Sequence, residues 1–215
     1  FAIQSRCLEI DYEKTTPPHK RFLYLCGLFS GRIALTKLEA EIKDILNLVI
    51  QNVLLIINQD GMHVSRQPQK HFEVLKRLIE LRNISSNHIN TLWENLNEII
   101  NKMILIGKIF RHSNGSIAEF NGGCNFELKF IDQILNKVKS PLISNKFSND
   151  GYINIKTNNS TLIFDCGTPK SDLKNFYAGT LSFEFCYRKE MIIINCGSNT
   201  KDKEWFSVLK GTSAH

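Results

Sequence analysis

The sequence predicts an α+β chain in two parts, a helical region followed by an antiparallel β layer. Three observations carry this prediction. From about residue 20 to residue 110, apolar side chains return at three- and four-residue steps, the period of a helix face. Beyond Pro141 the period falls to two, as in half-buried strands. The two patterns occupy separate blocks instead of alternating, which argues for two domains of different class. The expected division is a helical region over residues 1–145 and a β domain over 146–215, with the boundary near residues 140–150.

Each element has its own signal. Thr36-Lys37-Leu38-Glu39 has capping-box spacing, a Thr oxygen for a free backbone N–H and a Glu reaching back. Behind it Leu38, Ile42, Ile45, Val49, Val53 and Ile56 form one face, and Asp60-Gly61 is expected to end that helix. Pro68 suits the first turn of the next helix, whose face is Phe72, Leu75, Leu78 and Ile79. Ser85, Ser86 or Asn87 caps a third, with a stripe running from Ile89 through Leu92, Trp93, Leu96, Ile99, Ile100, Met103 and Ile106 to Phe110. Residues 111–123 are polar and glycine-rich and read as a loop. A last helix covers about 126–138. YINIK (152–156), TLIFD (161–165), TLSFEF (180–185) and MIIIN (191–195) read as strands, with Tyr187–Glu190 turning the last two into a hairpin. Four strands make too small a sheet to stand well alone, so the sandwich they begin is expected to be cut short.

Composition narrows the function classes. No window reaches the roughly 18 uninterrupted apolar residues of a membrane span. The longest apolar segment, NLVIQNVLLIIN, is short, broken by amides, and reads as a buried helix. The N-terminus does not begin with Met and has no basic stretch leading into an apolar one, so it is not a signal peptide and the chain reads as an internal fragment. The net charge of +6 fits a solvated Lys-rich surface, or affinity for an anionic polymer. No Lys/Arg run is interleaved with aromatics and no zinc-finger or RNA-binding signature is present, so no nucleic-acid partner is expected. The six cysteines, Cys7, Cys26, Cys124, Cys166, Cys186 and Cys196, show no CxxC and no metal-ligand spacing. Cys26 and Cys186 lie in apolar patterns and are expected to be buried. Cys166 and Cys196 share a context, DCGT and NCGS, at the ends of strand-like runs. Two free thiols at equivalent strand ends are expected there, with a disulfide as the alternative.

Four segments, in order, resemble one family. They are INQDGMHVSRQPQKH (57–71), FRHSNGSIAEFNGG (110–123), AGTLSFEF followed by IIINCGS (178–198), and EWFSVLKGTSAH (204–215). Together they resemble heparinase II/III-like proteins, polysaccharide lyases and their relatives. The resemblance implies an α/α toroid-type helical region followed by an antiparallel β-sandwich, with further strands beyond His215. It implies an acidic polysaccharide as partner and a periplasmic or cell-envelope location. Oligomeric state is not readable.

The implied chemistry is β-elimination at a uronic acid. A cation must neutralise the carboxylate, a base must take the neighbouring proton, and an acid can protonate the leaving oxygen. By resemblance Arg66 and His63 are candidates for substrate binding. Tyr177, His71 and Lys70 are candidates for the catalytic positions. Departures matter here. Lys70 replaces the Tyr that serves as acid/base in the family, and Lys carries a proton at neutral pH only if burial lowers its pKa from about 10.4. Tyr177 stands where the family usually has His. Asn195 replaces the Asp of metal-binding members, and a neutral amide is a poor zinc ligand. His215 matches the histidine of the Ala-His motif and is the one good metal-ligand candidate, so no cofactor is expected. Three readings follow: a divergent uronate-polysaccharide lyase, a non-catalytic glycan-binding relative, and a helical scaffold that binds an anionic partner through its Lys surface.

Overall fold

A computed structural model describes residues 2–15, 17–35, 39–85, 90–123, 128–135, 151–168, 179–195 and 197. The described helices are α1 (Ala2–Lys14), α2 (Pro18–Leu35), α3 (Glu39–Ile56), α4 (Pro68–Ser85), α5 (Asn90–Ile109) and α6 (Leu128–Leu135). The strands are β1 (Tyr152–Lys156), β2 (Ser160–Asp165), β3 (Phe183–Tyr187) and β4 (Glu190–Ile193). Helices come first and strands last, as the periodicity predicts. The boundary expected near residues 140–150 lies outside the described residues. So do the capping-box residues Thr36 to Leu38, and Ser86 and Asn87. Ser85 instead closes α4, its Oγ donating to the Leu81 carbonyl at 2.8 Å. Helix α1 is an element that the periodicity did not announce. Its buried residue is Ser5, while Ile3 and Ile10 are exposed, so apolar periodicity is a poor guide to its packing.

The contacts form two compact units. The first comprises Phe1–Gln59 and Val74–Asn101, the second Asp60–Glu73 and Lys102–His215. In the first unit Phe22, Leu25, Phe29, Leu46, Val49, Val53, Leu75 and Leu78 are buried, at one-turn spacings along α2, α3 and α4. Helix α3 stops at Ile56, a few residues short of the expected Asp60-Gly61. Gly61 nevertheless has a structural task in the second unit. Its φ is +93°, and a Cβ there would lie 2.6 Å from Cβ of Lys102. Only glycine takes both the turn and the close approach without strain.

The second unit holds the sheet. Its strands pair antiparallel in the order β1-β2-β3-β4, each next to its sequence neighbour. Register places Ile153 against Phe164, and Phe164 against Phe183; Ile155 faces Leu162, Leu162 faces Phe185, and Phe185 faces Ile193. Strand alternation puts this apolar set on one face. The opposite face is the buried one, and it carries Tyr152, Asn154, Thr161, Ile163, Asp165, Glu184 and Cys186. The polarity is therefore reversed relative to a sheet packed on an oily core: polar groups point in, while Ile155, Phe183 and Ile193 are each about 40% exposed. Buried polar side chains must be hydrogen-bonded to be tolerated, so the inner face identifies where this unit invests its polar contacts.

The β3–β4 hairpin turns where the sequence predicts, through Arg188 (φ 46°) and Lys189 (φ 69°). Two consecutive left-handed residues make a type I′ turn, which Asn-Gly would form with less strain. Cys26 and Cys186 are buried, and Cys7, Cys26, Cys166 and Cys186 are free thiols. Among the described residues no helix is long and apolar enough to cross a membrane.

Candidate functional site

The inner face of the sheet meets two other stretches of the second unit: the segment 60–73, which leads into α4, and the loop 111–123. Three buried polar clusters result.

The first centres on Arg66. Pro68 opens α4 because its fixed φ suits the first helical position and its missing N–H is not needed there. The residue two before it, Arg66, is left-handed, with φ 56°. A non-glycine residue is held there only if its surroundings over-determine it. Arg66 N–H donates to the His63 carbonyl at 2.8 Å. Its own carbonyl accepts from the Tyr152 hydroxyl at 2.8 Å and from Asn121 Nδ2 at 3.2 Å. The guanidinium pairs with Asp165, which is 1% exposed, and lies over the Tyr152 ring at 4.9 Å from its centroid. Asn121 Nδ2 also reaches the Tyr152 hydroxyl at 2.6 Å and Asp165 Oδ2 at 3.2 Å. Burial, then the Asp165 charge, push the Tyr152 phenol well above its ordinary pKa. Tyr152 is thus a fixed hydrogen-bond donor. Gly167 completes the cluster, because a Cβ at that position would overlap the guanidinium.

The second cluster is His71. It lies in the first turn of α4 with no exposed surface, edge-on to Phe72 and Phe110 at 5.5 and 6.0 Å. Its Nε2 lies 2.9 Å from the Met103 carbonyl, so the proton is assigned to Nε2. Burial lowers its pKa to about 4, and the ring is neutral at physiological pH. His63 is also buried. Its Nδ1 accepts the Ser65 backbone N–H at 3.1 Å, which again assigns the ring proton to Nε2.

The third cluster joins the loop to β3 and to the end of β4. His112 Nε2 lies 2.7 Å from Glu184 Oε2, and both side chains are buried. Glu184 Oε1 accepts from Glu119 N at 2.9 Å, Asn195 N at 3.3 Å and Asn195 Nδ2 at 3.2 Å. The Asn195 amide is thereby committed to a carboxylate. Among the described residues no three His, Cys, Asp or Glu side chains converge in a metal-holding group. With its amide nitrogen turned to Glu184, Asn195 offers a metal no anionic donor.

The sequence-predicted residues are thus partly brought together. His63, Arg66, Lys70 and His71 share one segment at the start of α4, with Lys70 half-buried. Tyr177 and His215 lie outside the described residues. Asp165, Asn121, Tyr152, His112, Glu184 and Glu119 were not anticipated. A signal for two of these clusters was present in the shared context DCG and NCG. Asp165 and Asn195 each make the polar contact, while Gly167 and Gly197 each allow a close approach. A Cβ on Gly197 would lie 2.5 Å from the Gly123 carbonyl and 2.7 Å from Glu119 Oε2.

The comparisons with known proteins agree on the C-terminal part. Residues 140–215 match the model of the heparinase II/III-like C-terminal family. Solved structures extend the likeness in fold over most of the rest. A heparan sulfate lyase HepC mutant from Pedobacter heparinus superposes with a TM-score of 0.72 at 11% identity, covering 88% of this chain and 34% of that one. A heparinase III gene product with methylated lysines gives 0.70 at 15% identity over 91% of this chain and 35% of that one. A further heparinase III gives 0.69 at 12% identity over 92% and 38%. The chain therefore spans roughly a third of the length of these heparinase structures. No curated protein matches the sequence.

Proposed function

We propose that this protein acts on uronic-acid-containing acidic glycans as a polysaccharide lyase, by β-elimination. The fold likeness to heparan sulfate lyase and heparinase III over about nine-tenths of the chain carries this reading. Local chemistry supports it. Lys70 sits in the first turn of α4, where a cation opposes the helix dipole. An anion bound near that turn would be favoured by the lysine charge and by the positive end of the helix dipole. The test is ultraviolet absorbance of the unsaturated uronate on incubation of the full-length protein with heparan sulfate, heparin, hyaluronan, chondroitin sulfate, alginate and pectate. We expect a rise with at least one glycan, lost in Lys70→Ala and Tyr177→Phe. No rise across the panel refutes the lyase reading. The same reading implies a periplasmic or cell-envelope location, which fractionation of the source cell would check.

A second reading is a glycan-binding relative without lyase activity. The burial of His71 favours it, because a ring sealed between Phe72 and Phe110 cannot exchange protons with a bound sugar. Binding without any absorbance rise is the result this second reading requires.

A further inference from the structure

We propose that the Glu119 carboxyl is the proton donor to the leaving sugar oxygen; this rests on the lyase reading above. The inference starts from an asymmetric pair of carboxyl groups. Glu184 is 2% exposed and collects the Glu119 and Asn195 backbone N–H groups, the Asn195 amide and His112 Nε2. All of these donors suit a carboxylate. Glu119 faces that same carboxylate, yet among the described residues its own side chain has no hydrogen bond and no ion pair. The groups around it are Glu184 from β3, Gly123 from its own loop, and Gly197 beyond β4, whose added Cβ would stand 2.7 Å from Oε2. No Lys or Arg is among the groups that perturb it. Partial burial and the Glu184 charge both raise its pKa from its ordinary value. Two carboxyls with opposed environments are the usual arrangement when one must carry a proton and the other must not.

Placement supports the role. Glu119 lies two residues before Asn121, and its loop is fastened to the start of α4 by Asn121 Nδ2 to the Arg66 carbonyl (3.2 Å) and Gln67 Nε2 to the Gly122 carbonyl (2.7 Å). The same stretch carries Lys70, where the resembling family has its Tyr acid/base. Glu119 thus offers a second proton source on the loop against that helix start. In the step itself, a base removes the proton on the carbon next to the uronate carboxylate, and the electron pair forms the ring double bond. The bond to the leaving oxygen breaks, and that oxygen takes the Glu119 proton. Glu119 is left as carboxylate and regains a proton from solvent.

The test uses full-length Glu119→Gln and Glu119→Asp on whichever glycan the wild type cleaves. Glu119→Gln is expected to lower kcat about 100-fold or more, with KM nearly unchanged. The alkaline fall in the wild-type kcat profile should disappear with it. A uronide bearing fluoride at the scissile position needs no proton on its leaving group, so Glu119→Gln should cleave it at close to the wild-type rate. Equal losses on both substrates would mark a structural role and overturn the inference. A kcat near wild type in Glu119→Gln would overturn it while leaving the lyase reading intact. Wild-type inactivity across the panel would remove the lyase reading and this inference together. Should the variants fail to fold, carbon-13 NMR titration of Glu119 in the wild type decides: a pKa at or below that of an ordinary glutamate overturns the proposal.

Discussion

Asp165→Ala is the perturbation that most directly tests the architecture of the second unit. Asp165 is 1% exposed and the Arg66 side chain 12%. Removing one member of a buried ion pair strands the other charge, which costs roughly 3–5 kcal/mol. The Asp165 hydrogen bonds from Asn121 and from Gly167 N, each 3.2 Å, are lost as well. Against this, Arg66 keeps some access to water and its stack on Tyr152. A loss near the lower end, about 3 kcal/mol, is therefore expected. Hydrogen exchange of β1 and β2 amides is the appropriate assay, because it reads this unit locally without assuming that the whole chain unfolds in one step. Protection there should fall by roughly two orders of magnitude, about 1.4 kcal/mol per factor of ten. Gly167→Ala, whose methyl group would displace the guanidinium from Asp165, should reproduce most of that loss. A double-mutant cycle of Asp165→Ala with Arg66→Met should show a coupling of about 2 kcal/mol or more. A decrease of less than about fivefold in exchange protection would refute the reasoning, since the pair would then behave as a solvated surface contact.

Three further outcomes are expected. His71 has its pKa lowered from 6.5 to about 4; the unfolded chain binds more protons between those values, so this stability contribution is complete above about pH 6.5 and is lost as pH falls towards 4. The loss is about 3 kcal/mol, and His71→Gln should flatten that limb of a denaturation-midpoint-versus-pH curve. Lys189→Gly should raise the denaturation midpoint by the equivalent of about 0.5–1 kcal/mol, because glycine relieves the left-handed strain at φ 69°. Lys70→Glu should stabilise α4 by about 0.3–1 kcal/mol through the helix dipole while weakening acidic-glycan retention on an affinity column. Tighter retention would count against an anion site at this helix start.

Much of the fold was legible in the sequence because it is local. The three-to-four-residue stripes of α3 and α4 and the two-residue alternation of the strands each report which face is buried, whatever partner buries it. YINIK became β1 without a residue of error, and Pro68 opened α4. The hairpin at Arg188-Lys189 was legible from the strands on either side and not from its own residues, which lack the usual Asn-Gly. Helix α1 was not legible in the same way, because its Ile3 and Ile10 are exposed and Ser5 is its buried residue.

The site was less legible because its contacts join distant parts of the chain. The family resemblance marked His63, Arg66, Lys70 and His71 as one motif, and the sequence itself marked DCG and NCG as a repeated context. It could not reveal that Arg66 and Asp165, 99 residues apart, form an ion pair, or that His112 and Glu184, 72 residues apart, lie within hydrogen-bond distance. Nor could it tell a solvent-facing histidine from His71, whose pKa is lowered by burial, against Phe72 of its own helix and Phe110 just beyond α5. Periodicity depends on the backbone geometry of a single segment, and the sequence determines it directly. Charge pairing, burial and pKa depend on which segments meet, and only the tertiary structure decides that.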